Sequence, residues 1–414
     1  MRRLLITIAV FTLGMNLAPA LVSAQTIYPK GTTVRERGTY DGYTLFIGGD
    51  NIVYLIDMDG TIHNTWVSPD PGEVFNSIEA LPNGHIMGFS NAGGFGSLKT
   101  KIIEVDFFGN EVWRYELPPG FPAVDFDFHH DNERLPNGNT LILASQTVTI
   151  PTISPFPLMD DVIIEVDPDG NIVWSWQTYE HFHEFGFSQE GLELIYQSGG
   201  DWAHANSINA IPPNNHVLPA LAEGNIIVSQ RNTNCVFIID KATGAIVWKR
   251  GPDDHVTYGQ HDPHMIKQGL VGAGNILVFD NGSGTGTPLR KTPAPGYSRV
   301  HEIDPTAPPT NEFAWTYRHQ DSGLSNFLFF ANVVSGAQRL PNGNTLICSG
   351  ARGRLFEITP NKDIVWEWMS PFVGLAGAAE SLIIFRAYRL DYDWAPTHLI
   401  SQVMHRPPQP LTNP

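Results

Sequence analysis

The sequence repeats one pattern six times: an apolar run of strand length that ends in Asp or Thr, a short turn, and a second short run that ends in Trp. The copies read "LIDMDGTIHNTW", "EVDFFGNEVW", "EVDPDGNIVW", "IIDKATGAIVW", "EIDPTAPPTNEFAW" and "EITPNKDIVW". Their last residues are Trp66, Trp113, Trp174, Trp248, Trp315 and Trp366. Most turns supply Asp, Asn or Gly, which suit a tight hairpin, and most flanking residues are β-branched or aromatic. The pattern predicts six β-hairpins, with the tryptophans as packing residues between sheets.

A second turn signal precedes most of these hairpins. It recurs in "ALPNGHIMGFS", "RLPNGNTLILAS", "AEGNIIVSQR", "GAGNILVFDN" and "RLPNGNTLICSG", so each unit holds four short strands. The repeated Asp or Thr stands at positions 57, 106, 167, 240, 304 and 359. Four-stranded units at such a spacing are typical of β-propeller blades, which pack on their neighbours and close into a ring. We therefore predict an all-β fold, a six-bladed β-propeller with four-stranded blades.

The two ends of the repeat region are complementary. The first repeat, from Gly42 to Trp66, lacks an innermost strand, whereas "SLIIFRAYRLDY" at 381–392 follows the last repeat. Its "AYRL" resembles the "NERL" and "AQRL" of complete inner strands. We expect this C-terminal strand to complete the first blade and close the ring. Helical patterning is almost absent apart from a short insert near 181–195.

The N-terminus differs from the rest of the chain. Arg2 and Arg3 precede a mostly apolar run, and small residues precede a predicted cleavage after Ala24, which is the pattern of a secretory signal peptide. We divide the chain into a signal peptide (1–24), an N-terminal linker (25–39), the propeller (40–392) and a C-terminal tail (393–414). The leader predicts a secreted or periplasmic protein. No later run is apolar enough to predict insertion into a membrane.

Charge and cysteine content restrict the partners. The formal net charge is −17, and it becomes −19 when Arg2 and Arg3 leave with the leader, which argues against nucleic acid as a partner. Cys235 and Cys348 are too few for a disulfide scaffold and lie in apolar runs, so we predict buried free thiols. Nothing in the sequence indicates an oligomeric state.

Polar residues recur at one place in the predicted inner strands. When these strands are aligned on the turn that follows them, their first positions are Asn76, His130, Asn206, His261 and Ser335. His204 lies two residues before Asn206 and therefore on the same face of its strand. Because inner strands line the central channel of a propeller, we expect these side chains to point into it.

The second strand of each blade runs back antiparallel, so its end returns to the start of the inner strand. Arg231 and Asn281 stand at such ends, in "GNIIVSQR" and "GNILVFDN". We expect Asn206 to orient His204 and Asn281 to orient His261, while the alignment leaves open whether His129 or His130 faces the channel. The predicted site thus contains His130, His204, His261 and Arg231, with Asn206, Asn281 and His129 in binding or orienting roles.

Three classes of function are compatible with such a site. Neutral imidazole is a nucleophile and an acid or base near pH 7, and a guanidinium beside it suits an anionic group. Alternatively, His130, His204 and His261 could hold Zn²⁺, Mn²⁺ or Ca²⁺ for a metal-dependent lyase or hydrolase, although Arg231 would repel the cation. A non-catalytic secreted propeller that binds partners through its loops would need no such cluster.

In their order along the chain, several motifs resemble those of the bacterial arylsulfate sulfotransferases. They are "HHDNERLPNGN", "DWAHANSI", "SQRNTN", "GQHDPH" with "ILVFDNGSG", "YSRVHEID" and "FRAYRL", and the resemblance runs from about Tyr40 to Tyr392. It implies sulfuryl transfer, independent of PAPS or any other cofactor, from a small-molecule aryl sulfate donor to a phenolic acceptor through a sulfohistidine. We expect neither the separate N-terminal β domain nor the paired cysteines of larger periplasmic members in this protein.

The same resemblance assigns roles to individual residues. By its "QH" ahead of the "FDNG" strand, His261 matches the nucleophile that becomes sulfated. His204 of "DWAHAN" and Arg231 of "SQR" match groups that hold the sulfuryl oxygens. His130 is carried over by the repeat alignment, with His129 as the alternative one residue away.

Overall fold

The computed structural model describes residues 29–92, 101–117, 126–252, 257–284, 294–376 and 379–395. Within these ranges six antiparallel blades follow one another around a ring, with the first strand of each complete repeat innermost. The predicted all-β, six-bladed propeller is confirmed. The predicted signal peptide and most of the predicted tail lie outside the described residues.

Blades are numbered in chain order, and their strands are given from the channel outward. Blade 1 contains Ala387–Leu390, Tyr43–Ile47, Val53–Ile56 and Ile62–Trp66. Blade 2 contains Val74–Ala80, Ile86–Asn91, Lys101–Val105 and Glu111–Glu116. Blade 3 contains Asp127–Arg134, Thr140–Val148, Leu158–Val166 and Ile172–Gln177. Blade 4 contains Ala205–Ala210, Ile226–Gln230, Cys235–Ile239 and Ile246–Arg250. Blade 5 contains His261–Met265, Ile276–Asp280, Arg299–Ile303 and Phe313–Tyr317. Blade 6 contains Gly336–Arg339, Thr345–Ser349, Arg354–Ile358 and Ile364–Met369.

Helices are few and short in the described ranges. The predicted insert is present as a 3₁₀ helix, Thr178–Phe185, and an α-helix, Gln189–Ser198, whose first turn is capped by Ser188 Oγ accepting from the backbone N–H of Gly191. The remaining elements are the 3₁₀ turns Pro82–Gly84, Pro219–Leu221, His319–Ser322, Asn326–Leu328 and Gly350–Arg352, the two-residue strand Gly200–Asp201, and the hairpin Gly374–Ala376 with Ala379–Ser381. None of the described helices has the length and apolar character that a membrane crossing requires.

Both ends of the described chain lie on neighbouring blades. Ala387–Leu390 pairs with Tyr43–Ile47, which confirms the predicted closure of the ring by a C-terminal strand. Gly31–Arg35 lies within the stretch predicted as a linker, but it forms a fifth, outermost strand on blade 6. Thr33 Oγ1 donates a hydrogen bond to Glu367 Oε2 of that blade at 2.6 Å. This short strand lies outside the repeated pattern, which is why the sequence did not predict it.

The hydrophobic core is divided among the interfaces between blades. Each neighbouring pair encloses one cluster of apolar side chains, because alternate residues of a strand point to opposite faces of the sheet. In blade 1, Leu45 and Leu55 face blade 2, whereas Phe46 and Tyr54 face blade 6. Both faces of a blade are therefore buried. Two of these clusters include the cysteines, which are free and buried as predicted.

Three of the repeated tryptophans join their blade to the next in the same way. The indole N–H donates to the backbone carbonyl of the residue after the repeat Asp of the following blade, from Trp113 to Pro168, from Trp248 to Pro305 and from Trp366 to Met58, at 2.8–3.0 Å. Arginines at the end of the inner strands make the reciprocal contact. Arg134, Arg339 and Arg389 lie over the rings of Trp113, Trp315 and Trp366 and pair with Glu104, Glu302 and Glu357 of the preceding blade.

Candidate functional site

The predicted site residues collect at one end of the channel because of where they stand in their strands. His261 is the first residue of the inner strand of blade 5. Arg231 and Asn281 directly follow the last residues of the second strands of blades 4 and 5. The backbone N–H of Arg231 donates to the carbonyl of His204 at 3.0 Å. The antiparallel hairpins thus return these residues to the same end, as their spacing predicted.

The inner strands are irregular at this end. The register shifts between strands one and two near residue 130 in blade 3, residue 206 in blade 4 and residue 262 in blade 5. His130, His204 and Asp262 adopt left-handed φ values of 59°, 51° and 57°. Such a conformation costs an L-residue roughly 1–2 kcal/mol, so neighbouring contacts must maintain it. A β-bulge changes the direction of a side chain relative to a regular strand.

A side-chain amide fixes the tautomer of His261. Asn281 Nδ2 donates to the carbonyls of Ala331 and Val334 at 2.7 and 3.0 Å, so Asn281 Oδ1 must be the atom that faces His261 Nδ1 at 2.7 Å. The second neighbour of Nδ1 is the carbonyl of Gly259 at 3.1 Å. Both partners are acceptors, so Nδ1 carries the proton and Nε2 carries the lone pair.

His261 is also kept neutral. Its side chain is almost completely buried, and burial lowers the pKa of His261 to about 3, because a buried imidazolium loses its hydration. The bond to Asn281 opposes this shift, and the charge of the Arg231 guanidinium adds to it. Arg231 is therefore close enough to His261 to act on the charge of its ring.

His204 is oriented by a carboxylate that the sequence analysis did not assign. Asp201 Oδ2 accepts a hydrogen bond from His204 Nδ1 at 2.5 Å. Both side chains are about one-third exposed, so the pair lies at the rim of the site. The three-residue spacing in "DWAH" was the only signal available. Because Gly200 and His204 both have positive φ, the intervening turn brings the two side chains together.

Arg231 has hydrogen-bonding capacity that the described protein leaves unused. Its Nη1 donates to Asn232 Oδ1 at 3.1 Å, but its buried Nε has no partner among the described residues. Burial lowers the pKa of Arg231 and Asp201 opposes that change, and a guanidinium remains a cation near neutral pH. A buried cation with a free donor is suited to an anionic ligand.

The two adjacent histidines of blade 3 occupy different positions. The ring of His130 lies 4.9 Å from the ring of His204, in an edge-to-face arrangement. His129 is next to His130 through an Nδ1–Nδ1 contact of 2.8 Å, and its Nε2 lies 3.3 Å from Asp161 Oδ1. His130 therefore stands beside His204, whereas His129 lies between His130 and a buried carboxylate. One ring must donate this hydrogen bond and the other must accept it.

The predicted contact between Asn206 and His204 is wrong. Asn206 is fully buried, and its Nδ2 donates to the carbonyl of Gln260, the residue before His261, at 2.8 Å. Its Oδ1 has no partner in the described part of the chain. The bulge at residue 206 turns the side chain toward blade 5, and Asp201 takes the place expected for Asn206.

The alternative metal interpretation receives no support from this geometry. In the ranges that the structure describes, no three His, Cys, Asp or Glu side chains are arranged to hold a metal ion. His130 and His204 meet edge to face, and both Nδ1 atoms have protein partners.

A cavity of about 570 Å³ lies elsewhere, between the outermost strand of blade 6 and the 3₁₀ turns after blade 5. Its polar side chains satisfy one another. Arg354 Nε donates to Glu367 at 2.6 Å, and its Nη atoms lie 3.2 and 3.3 Å from His319 Nε2. None of the predicted site residues lines this cavity.

Comparison with known proteins gives one family match. Residues 35–256 and 251–368 match the family model described as Arylsulfotransferase (ASST). No curated protein matches the chain. Among solved structures, a protein of unknown function from Bacteroides caccae is 16% identical, with a TM-score of 0.47 over 84% of this chain and 98% of that one. A catalytically inactive virginiamycin B lyase from Staphylococcus aureus, solved with quinupristin, is 12% identical, with a TM-score of 0.43 over 86% and 92% of the two chains. Likeness at this level carries no activity over to this chain.

Proposed function

Because the chain belongs to the arylsulfotransferase family, we propose that it moves the sulfuryl group of an aryl sulfate to a phenol by way of a sulfated His261. The family gives aryl sulfotransferase activity and small aryl substrates in general terms. The observation that carries the finer proposal is the state of His261, which is buried, neutral and held by Asn281 with its lone pair on Nε2.

In the first step, His261 Nε2 attacks the sulfur atom of the donor. The N–S bond forms as the bond between sulfur and the aryl oxygen breaks, and the phenolate leaves with the electron pair. Nδ1 keeps its proton and its hydrogen bond to Asn281 Oδ1, and this bond stabilises the positive charge that develops on the ring.

In the second step, the acceptor phenol attacks the same sulfur atom. Its oxygen forms the new S–O bond, the N–S bond breaks, and His261 returns to its neutral form. The phenol proton must go to a base. The candidate bases are His204, whose Nδ1 is bonded to Asp201, and the adjacent His130.

The transferred group carries negative charge on three oxygens, in the manner of a transferred phosphoryl group. Arg231 is suited to these oxygens, since its buried Nε is a free donor. Donors placed in this way are typically worth a few kcal/mol of transition-state stabilisation each.

The experiment is a transfer assay with a chromogenic aryl sulfate and a phenol acceptor, with and without chelator. We expect transfer that survives chelation, a sulfated peptide containing His261 after rapid quenching, and loss of both signals in His261→Ala. Transfer that the chelator abolishes would support a metal enzyme, and a folded protein without turnover would support a binding propeller. Full activity in His261→Ala would show that the nucleophile is another residue.

We also propose that the protein is exported. The support is the pattern of the first 24 residues, with two arginines before an apolar run and small residues before Ala24. N-terminal sequencing of the protein made in a bacterial host should find Gln25 as the first residue, and an unprocessed Met1 would contradict the proposal.

A further inference from the structure

Two histidines of the candidate site are each followed by Asp, and the same arginine forms an ion pair with both aspartates. Arg386 Nη1 and Nη2 lie 3.0 and 3.2 Å from the two carboxylate oxygens of Asp131, and Arg386 Nε lies 3.3 Å from Asp262 Oδ1. Asp131 follows His130 in blade 3, and Asp262 follows His261 in blade 5. One side chain therefore connects two blades that are not neighbours in the ring.

Arg386 comes from the segment that closes the propeller. It directly precedes the strand Ala387–Leu390, and it follows Phe385, whose carbonyl accepts from the backbone N–H of Ser335 in blade 6 at 2.9 Å. The chain thus passes from blade 6 to blade 1 with the Arg386 side chain directed across the channel. Its side chain is more than nine-tenths buried.

The two aspartates make further contacts that depend on their position. Asp131 Oδ2 also accepts from the backbone N–H of Ile208 in blade 4, at 3.0 Å. The carboxylate of Asp262 lies against Gly336 in blade 6, so closely that a Cβ atom at that glycine would overlap it. Arg386, Asp131 and Asp262 thus connect the start of the inner strand of blade 1 with blades 3, 4, 5 and 6.

The backbone at these dipeptides needs such support. His130 and Asp262 both adopt left-handed φ, although neither is glycine. Burial raises the pKa of Asp131 to about 6, and the Arg386 guanidinium opposes that rise. Without Arg386 two buried carboxylates would face each other with no counter-charge, and both dipeptides would lose the contact that maintains their conformation.

We propose that Arg386 is a positioning residue that sets His130 and His261 in register through Asp131 and Asp262, so that the site is assembled only when the C-terminal segment closes the ring. This inference rests on the proposed function for its activity readout. The residue itself does not touch the reacting atoms. It acts through two neighbours of the histidines.

The test compares Arg386→Met, Arg386→Lys and the matched control Arg389→Met. Arg389 lies on the same closing strand and pairs with buried Glu357, but it contacts none of the site residues. Assays run well below each melting temperature should show kcat/KM about a hundredfold lower for Arg386→Met, since small displacements of reacting groups have effects of that order. In Arg386→Lys, kcat/KM should be about tenfold higher than in Arg386→Met, because the Lys ammonium restores the positive charge but not the planar guanidinium that binds both carboxylate oxygens. Arg389→Met should stay within threefold of wild type despite a lower melting temperature.

A second readout is independent of activity. In ¹⁵N-histidine NMR spectra the Nδ1–H tautomer of His261 should give way to a mixture of tautomers in Arg386→Met and remain intact in Arg389→Met. If wild type transfers no sulfuryl group, the proposed function fails, and this spectrum still decides the role of Arg386. If Arg386→Met does not fold, the triple variant Arg386→Met/Asp131→Asn/Asp262→Asn removes the unpaired charges. It should fold and show the same loss of activity and of the single His261 tautomer. Unchanged histidine spectra in Arg386→Met or in the triple variant, or a loss of activity in Arg389→Met equal to that in Arg386→Met, would overturn the proposal.

Discussion

Asn281 determines which nitrogen of His261 carries the proton. Its own orientation is fixed by two carbonyl acceptors, and the turn that presents it is fixed by Asp280, whose Oδ1 accepts the backbone N–H groups of Gly282 and Tyr258 at 3.0 and 2.8 Å. In each of these hydrogen bonds only one assignment of donor and acceptor is possible. The free lone pair on Nε2 is therefore set by the fold rather than by solvent.

Asn281→Ala should lower kcat by about 10- to 100-fold, the usual effect of losing a residue that orients a functional histidine. KM should change little, because the amide does not contact the substrate in the proposed mechanism. Steady-state kinetics with a chromogenic donor measure both constants. Asn209→Ala is a matched control, since Asn209 makes a similar bond between blades, to the Pro263 carbonyl at 3.1 Å. An equal loss of kcat in that control would contradict the orienting role.

The low pKa of His261, about 3, predicts a flat acid side of the pH profile. With a nitrophenyl sulfate, whose leaving group needs no proton, the burst rate of phenol release should stay within threefold from pH 5 to pH 8. Rapid-mixing kinetics test this, and a half-maximal rate near pH 6.5 would mean that the ring titrates normally. The same shift makes stability rise with pH between about 3 and 6.5, because there the unfolded chain binds a proton that folded His261 does not.

Spacing alone predicted much of the geometry of the candidate site. The number of residues between the turn glycine and Arg231 or Asn281 predicted that both lie at the end of the channel where the inner strands begin. The predicted contact between Asn281 and His261 is present. The contact of His204 with Asp201 depends on a turn with left-handed residues, and that of Arg386 with Asp131 joins residues 255 positions apart. Neither leaves a periodic signal in one sequence.

Among the elements, the hairpin that ends in Trp is the unit that joins one blade to the next. In blade 2, for example, the Trp113 indole N–H donates to a carbonyl of blade 3. In return, Arg134 of the inner strand of blade 3 lies over the Trp113 ring and pairs with Glu104 of blade 2. The repeat predicted this unit, but one of its copies differs. Asn64 stands opposite Leu55 where other blades place Trp, and Trp66 lies two residues further along the strand, in the same register as Trp368. Asn64 stands seven residues after Asp57, as Trp113 stands seven residues after Asp106, so the difference follows from the spacing once the register is known.

Arg339→Met should destabilise the fold by about 3–5 kcal/mol, the usual range when one partner of a buried ion pair is removed. Arg339 and Glu302 are both more than nine-tenths buried, with Nη2 and Oε2 2.8 Å apart. Urea unfolding gives the change in free energy, and adding Glu302→Gln should recover part of it. The exposed pair of Arg35 and Asp59 is the control, and Asp59→Asn should cost at most about 1 kcal/mol. A loss that small in Arg339→Met would show that the pair is not a main support of the interface.

At the scale of the whole molecule, one strand decides whether the ring exists. Ala387–Leu390 covers the inner edge of Tyr43–Ile47, which would otherwise expose unpaired backbone groups to the channel. The sequence predicted this closure because blade 1 lacked a strand and the C-terminus carried one too many. It did not predict the outer strand Gly31–Arg35, which adds to a blade that is already complete.

A chain that ends at Arg386 should fail to form a compact monomer. We expect aggregation or a partly unfolded state by size-exclusion chromatography and near-UV circular dichroism, because blade 1 then lacks its inner strand. Removing residues 25–35 instead takes away only the outer strand of blade 6 and should leave a folded protein with a modestly lower melting temperature. A native-like spectrum for the first truncation would contradict the importance of closure.

The distribution of the core among the contacts between blades has a consequence for denaturation. In an open array a terminal unit can melt while the rest survives, since it has one neighbour. In this closed ring every blade has two neighbours, and unfolding of any one blade would expose two of the apolar clusters at once. Calorimetry should therefore record a single all-or-none transition, with equal calorimetric and van't Hoff enthalpies, for a chain large enough that several transitions would be the ordinary result.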